Sequence, residues 1–230
     1  MIEVTPAILP QNVGELRMKV EMVKEYVDMV QLDFCDGVFV PSKTWPYTGL
    51  DTQFYDKVLS EQEGLPYWEE VSYEFDLMVE NAKDKFDTFL KMGPKRIIFH
   101  VGAEQGLAEW FDALDPYYRS EIEFGVAITT STPIDVLDPL LTHISFVQCM
   151  GIAEIGKQSQ PFDERVLDQI RAIKQKYPNL FVAVDGSVNR ETAHRLVEAG
   201  AERLAIGSAL FKVLDIKSEL EDYRNLITNI

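Results

Sequence analysis

Three observations predict an α/β protein folded as a single (β/α)8 TIM barrel over residues 1–230. Short apolar runs alternate with longer amphipathic ones, eight such units are evenly spaced, and no glycine-rich dinucleotide turn follows the first run. An open doubly wound sheet is the competing arrangement, and the missing turn counts against it. The 230 residues suffice for one large barrel, and no low-complexity linker divides them.

The first strand is EVTPAIL (3–9), followed by MVQLDF (29–34), VSYEFDLMV (71–79) and RIIFHV (96–101). The second half supplies EFGVAI (123–128), HISFVQCM (143–150), FVAVDG (181–186) and RLAIGS (203–208). The clearest helix runs from about residue 163 to 176, with Val166, Leu167, Ile170 and Ile173 on one face. Asn189 suits the N-cap of the next helix and Gly200 its C-terminal end. Gly93-Pro94 closes the helix before the fourth strand. Residues 44–68 form a long connection with room for a short helix, of the kind that serves as a lid. Trp45, Tyr47 and Trp68 within it suggest an exposed apolar patch or a cover over substrate.

Composition narrows the function. A net charge of −16 opposes nucleic acid and anionic membrane surfaces, while leaving room for one phosphate in a local pocket. The two cysteines, Cys35 and Cys149, are too few for a disulfide framework and read as reduced thiols of a cytoplasmic protein. No stretch reaches membrane-spanning length and the N-terminus has no basic leader.

The barrel gives meaning to acids at strand ends, where active sites of this fold lie. Alternation places Gln31 and Asp33 inward on strand two if Leu32 and Phe34 pack against helices. The same rule groups Glu74, Asp76 and Met78 on strand three, and Ala183 and Asp185 on strand seven. Asp33 and Asp185 would then face one ligand from opposite sides. His100 and Gln148 also point inward, Gln148 as a buried amide for Gln31 or Glu74. Asp36-Gly37 reads as a turn, and His143 and His194 as loop and helix-surface residues.

Together these segments resemble the ribulose-phosphate 3-epimerase family along almost the whole chain. PAIL (6–9) is similar to the family's PSIL, QLDFCDGVFVP (31–41) to its HVDVMDGHFVP, and FDLMVEN (75–81) to its VHLMVEN. FHV (99–101) matches its fourth strand end, VDGSVN (184–189) resembles its VDGGVN, and GSALF (207–211) its GSAIF. The resemblance implies a barrel of the ribulose-phosphate-binding type. It implies two aspartates, here Asp33 and Asp185, that exchange a C3 proton of a ketopentose 5-phosphate on opposite faces through an enediolate. It also implies a small phosphorylated sugar as partner and a homo-oligomer.

The family's metal site uses two histidines and two aspartates; the histidine positions here are Gln31 and Asp76. The resulting set of Gln31, Asp33, Asp76 and Asp185 is all oxygen, which favours Mg²⁺ or Mn²⁺ over Zn²⁺. No organic cofactor is implied. Substrate-lining positions carried over are Ala7 (for serine), Cys35 (for methionine), Met78 and Met150, with His100 as an inward strand residue. Phosphate falls to Gly186, Ser187, Gly207 and Ser208. The third phosphate turn, NPGFGGQ in the family, becomes AEIGKQSQ (153–160), where Gly156 and Gln158 can be matched and Lys157 adds a charge.

Two further readings stay open. Loss of both histidines allows a phosphosugar-binding barrel of altered specificity or without turnover. Decarboxylation or aldol cleavage, as in related barrels, wants a lysine among the strand-end aspartates. None stands in LDFCDG, FDLMVE or VDGSV, so a lysine would have to arrive from a loop.

Overall fold

The computed structural model describes residues 2–157 and 160–225. Eight parallel strands close into a barrel in sequence order: β1 (Glu3–Ile8), β2 (Met29–Cys35), β3 (Ser72–Met78), β4 (Arg96–His100), β5 (Glu123–Ile128), β6 (Phe146–Met150), β7 (Phe181–Asp185) and β8 (Arg203–Ile206). All eight predicted strands are present. The sixth starts at Phe146, so His143 lies in the preceding turn; its ring stacks on Phe111 and its Nε2 is 3.2 Å from Asp112.

Alternation divides the strand residues between two apolar layers. Outward residues such as Leu32, Phe34, Phe75, Phe99, Val147 and Val184 join the main core under the helices. Inward, Ile98, Ala127, Phe146, Met150 and Ala183 fill the barrel. Gly125 makes room there, because a Cβ on it would sit 2.4 Å from the Phe146 ring.

The crossovers are α1 (Val13–Val23), α2 (Thr52–Leu59), α3 (Phe86–Leu90), the pair α4 (Leu107–Ala113) and α5 (Pro116–Glu121), then α6 (Arg165–Lys176) and α7 (Arg190–Ala199). After β8 come the short α8 (Ser208–Phe211) and the closing α9 (Ile216–Asn225). The fifth crossover is not an α-helix but a 3₁₀ stretch, Ile134–Leu140, in which Pro139 lacks the N–H an α-helix would use. Helix α6 buries Val166, Leu167, Ile170 and Ile173 on one face. Asn189 caps α7 in a reciprocal box with Thr192, and Gly200 ends it at φ 116°.

The long connection after β2 holds α2, but its first part is fixed rather than a free lid. Thr44 Oγ1 donates to the Asp33 carbonyl and accepts from the Cys35 N–H. Trp45 is fully buried beside Phe54 and Tyr55, Tyr47 is half-buried, and only Trp68 is well exposed. Of these three rings Trp68 is the one that offers an exposed apolar surface, while Trp45 turns inward to fill space under α2. Among the described residues, no helix is long and apolar enough to cross a membrane.

Candidate active site

Register sets the site. Across β2 and β3, Gln31 lies beside Glu74, Asp33 beside Asp76 and Cys35 beside Met78; across β6 and β7, Met150 lies beside Asp185. Asp33, Asp76 and Asp185 therefore meet at one level of the barrel, each offering a carboxylate oxygen within 4.8 Å of the others. Glu74 belongs to the level below, where it faces Arg96 and Arg203 at 3.4 Å, so it does not join Asp76 and Met78.

Side-chain amides and an imidazole hold the cluster together. Gln31 Nε2 donates to Asp33 Oδ1 at 2.8 Å and to Asp185 Oδ2 at 3.0 Å. His100 Nε2 lies 2.6 Å from Asp76 Oδ1, and Gln148 Nε2 donates to Asp76 Oδ2 at 3.1 Å. Gln148 thus serves Asp76 rather than Gln31 or Glu74, because β6 carries it to the level of the aspartates. Gln31 presents its NH2 to the acids, as two facing acceptors favour, so in this structure it supports the carboxylates and is not itself a fourth oxygen. Its Oε1, like that of Gln148, is buried without a partner.

Burial, then the charges of Asp185 and Asp76, push the Asp33 carboxyl well above the usual range. Burial and then Asp76 push Asp185 up to about 7, against the pull of Gln31, the Gly186 N–H and His100. Three carboxylates in so small a volume require protons or a cation. Their hard oxygen donors fit a divalent cation of the Mg²⁺ or Mn²⁺ type, held by the three carboxylates without Gln31.

A cavity of about 200 Å³ opens above the cluster at the C-terminal ends of the strands. Asp33 and Asp185 reach its wall, with Ala7, Met78 and Met150 around them. Gly156, Gly186, Ser187, Gly207 and Ser208 line the other end, next to the start of α8. Gly186 (φ 99°) and Ser187 (φ 53°) are consecutive left-handed residues that make the turn after β7. Phosphate sites of this fold lie at the loops after strands seven and eight, beside such a short extra helix.

Two expected lining residues lie elsewhere. Cys35 is buried against Val40 and Met78, where its thiol is apolar filling, and burial pushes its pKa up. His100 is committed to Asp76 and packs against Phe39, 5.7 Å between ring centres. Asp36 makes the turn after β2, accepting from the N–H groups of Val38, Phe39 and Glu80. Gln158 lies outside the described residues. Among the described residues Lys157 is the lysine on the cavity wall; it follows Gly156 and pairs with Glu154, not with the aspartates. Sequence reading did not assign Leu9, Ile152 and Gln160 to the wall; only loop geometry brings them there.

Fold and site together define a (β/α)8 barrel with a buried carboxylate cluster at one end of its mouth and glycine turns at the other. The family model described as ribulose-phosphate 3 epimerase matches residues 3–211, and the chain belongs to that family. The ribulose-phosphate 3-epimerase of Methanocaldococcus jannaschii is 30% identical over 229 residues, covering 97% of this chain and 90% of the relative. That of Bacillus subtilis is 27% identical over 230 residues, covering 97% and 99%. Among solved structures, KGPDC from Streptococcus mutans superposes with a TM-score of 0.68 at 12% identity, covering 100% of this chain and 99% of that one. A 3-hexulose-6-phosphate synthase does so with a TM-score of 0.66 at 16% identity, covering 99% and 100%. These last two share the fold.

Proposed function

We propose that the protein is an epimerase of phosphorylated ketoses that interconverts D-ribulose 5-phosphate and D-xylulose 5-phosphate. The observation that carries this reading is the convergence on the cavity of Asp33, fully buried, and Asp185, half-buried, both raised in pKa. Inverting a carbon next to a carbonyl needs a base on one face and an acid on the other. Burial and mutual repulsion make double ionisation costly, so near neutral pH one of the pair holds a proton while the other is free to accept one. In one direction the ionised member takes the C3 proton and the protonated member delivers to the opposite face. In reverse the roles exchange.

Asp33, Asp76 and Asp185 would hold a divalent cation, which would supply positive charge against the oxyanion that develops beside C3. Gln31 orients Asp33 and Asp185, while His100 and Gln148 orient Asp76. The substrate's phosphate occupies the turns of Gly186-Ser187 and Gly207-Ser208, which sets C3 at the other end of the cavity. Met78 and Met150 close the apolar side and exclude water.

A second reading is favoured by one observation: the Gln31 NH2, a donor and not a metal-ligating atom, is the group that faces Asp33 and Asp185. This would suit a phosphosugar-binding barrel that no longer turns over. An assay of ribulose 5-phosphate conversion separates the two, using metal-stripped protein resupplied with Mg²⁺, Mn²⁺, Fe²⁺, Co²⁺ or Zn²⁺. Metal-dependent turnover that disappears in Asp33→Asn and Asp185→Asn is expected. Binding without turnover under every metal would support the second reading.

A further inference from the structure

We propose that Lys157 is a side-chain ligand for the substrate's phosphate, held by Glu154 until an anion arrives. This rests on the phosphosugar reading above and adds a charged residue to a grip otherwise made by backbone and hydroxyl groups.

The electrostatics of the cavity call for it. Its charged wall residues are Asp33, Asp185 and Lys157, so among the described residues Lys157 is the one cation facing the space. Asp76 adds a third carboxylate just behind the wall, and the whole chain carries −16. A phosphate monoester brings up to two further negative charges into the same small volume. The turn N–H groups offer partial charges only, and the Ser187 hydroxyl already donates to the Gln160 carbonyl. An ammonium on the wall is the group that offsets the repulsion.

The loop is built to keep Lys157 there while leaving its head free to move. On one side, Gly156 sits at φ 78° against Val40, where a Cβ would come within 2.7 Å of Val40 Cγ2. Its carbonyl accepts from the Ser42 hydroxyl. On the other side, the Gln160 carbonyl is the one bound by Ser187. Gly156, next to Lys157, and Gln160 are thereby each tied to the barrel. The Lys157 head is tied only to Glu154, 2.9 Å away and three residues back, and both side chains are well exposed. An exposed pair of this kind is weak. A doubly charged phosphate with three acceptor oxygens outcompetes a single solvated carboxylate for the ammonium. Glu154 is then the partner given up when substrate binds.

The test titrates the whole protein with inorganic phosphate, followed by calorimetry or ³¹P line broadening, in wild type, Lys157→Met, Lys157→Arg and Glu154→Gln. Lys157→Met is expected to weaken phosphate binding by about tenfold or more, the effect of losing a charge-assisted contact. Lys157→Arg is expected to restore most of it, and Glu154→Gln to tighten it by freeing the ammonium. With ribulose 5-phosphate, Lys157→Met should raise KM by a similar factor and leave kcat nearly unchanged, since the lysine is remote from C3. Phosphate affinity unchanged in Lys157→Met would overturn the proposal. So would Glu154→Gln weakening it as much as Lys157→Met does, because the pair would then merely shape the loop. Phosphate binding is read without turnover. Lys157-dependent binding in a protein that never epimerises would sink the epimerase reading alone, and turnover indifferent to Lys157 would sink this one alone.

Discussion

The two ends of the barrel interior each collect three carboxylates and treat them differently. At the floor, Glu3, Glu74 and Glu123 surround the guanidinium groups of Arg96 and Arg203. Arg203 is also sandwiched between the rings of Phe146 and Phe181, 4.5 and 4.8 Å from their centres. At the mouth, Asp33, Asp76 and Asp185 meet with neutral amides and His100 around them and, among the described residues, no arginine or lysine as a hydrogen-bond partner. The floor brings its own cations and is a structural plug. The described residues of the mouth leave the three carboxylates without a guanidinium or ammonium partner, and such a demand for positive charge and protons is what a catalyst can use.

Substitutions at the mouth should break function while those at the floor break the fold. The largest effect expected is in Asp33→Asn or Asp185→Asn, which should lower kcat by about 10²–10⁴-fold, the usual contribution of a proton-transfer group. Melting temperature should hold or rise, since a repelling charge is removed; circular dichroism checks this. Arg203→Met should do the reverse. It takes one of two guanidinium partners from the buried Glu74 and leaves Arg96 as the other, so the cost should approach about 3 kcal/mol, seen as a melting temperature lower by on the order of 10 °C. Turnover measured well below that transition should survive.

The next effect concerns pH. Folding raises the pKa of Asp33 and of Asp185, the latter to about 7, through burial first and neighbouring charges second. Such a group stabilises the fold fully below its unfolded pKa, near 3.9 for aspartate, and the contribution is lost as pH rises through the folded value. The metal-free protein should therefore melt at lower temperature at about pH 8 than at about pH 6, and Mn²⁺ should flatten the trend by replacing the protons. At the floor, burial raises Glu3 but the arginines outweigh it and leave its pKa lowered, so its contribution is lost only on acidification below the ordinary glutamate range. Asp185→Asn should flatten the slope on the alkaline side and leave the acid side alone.

Smaller still is a change of metal preference. Gln31→His with Asp76→His replaces hard oxygen by imidazole, and should move competition titrations from Mn²⁺ towards Zn²⁺. The smallest expected signal is thiol chemistry. Cys35 and Cys149 are both buried with raised pKa, that of Cys149 to about 12, and should label with a thiol reagent only on unfolding.

The strands were legible because apolar runs of strand length with turn residues between them have few other uses. Asp33 and Asp185 stood out because each ends such a run. What stayed hidden depends on register, which one strand does not encode. Glu3 beside Arg203, Glu74 beside Arg96 and Arg96 beside Glu123 are neighbours only once the barrel closes. The same holds for His100 and Gln148, which converge on Asp76 from two other strands. Trp45 between Thr44 and Pro46 reads as a surface loop, and its burial follows from packing with α2, a tertiary contact. Gln31 was read correctly as inward, while the direction of its amide is set by the two acids it meets.

The most direct test of the central claim, that the mouth's carboxylates exchange a proton at C3 with the help of a cation, is solvent-isotope incorporation. Metal-stripped protein in deuterated water would be given ribulose 5-phosphate, then Mn²⁺ or Mg²⁺, and the C3 proton followed by NMR. Loss of that proton signal only after metal is added, together with the appearance of xylulose 5-phosphate, and neither event in Asp33→Asn or Asp185→Asn, is the result expected. A C3 proton that persists under every divalent metal, in protein shown to bind the sugar phosphate, would contradict it.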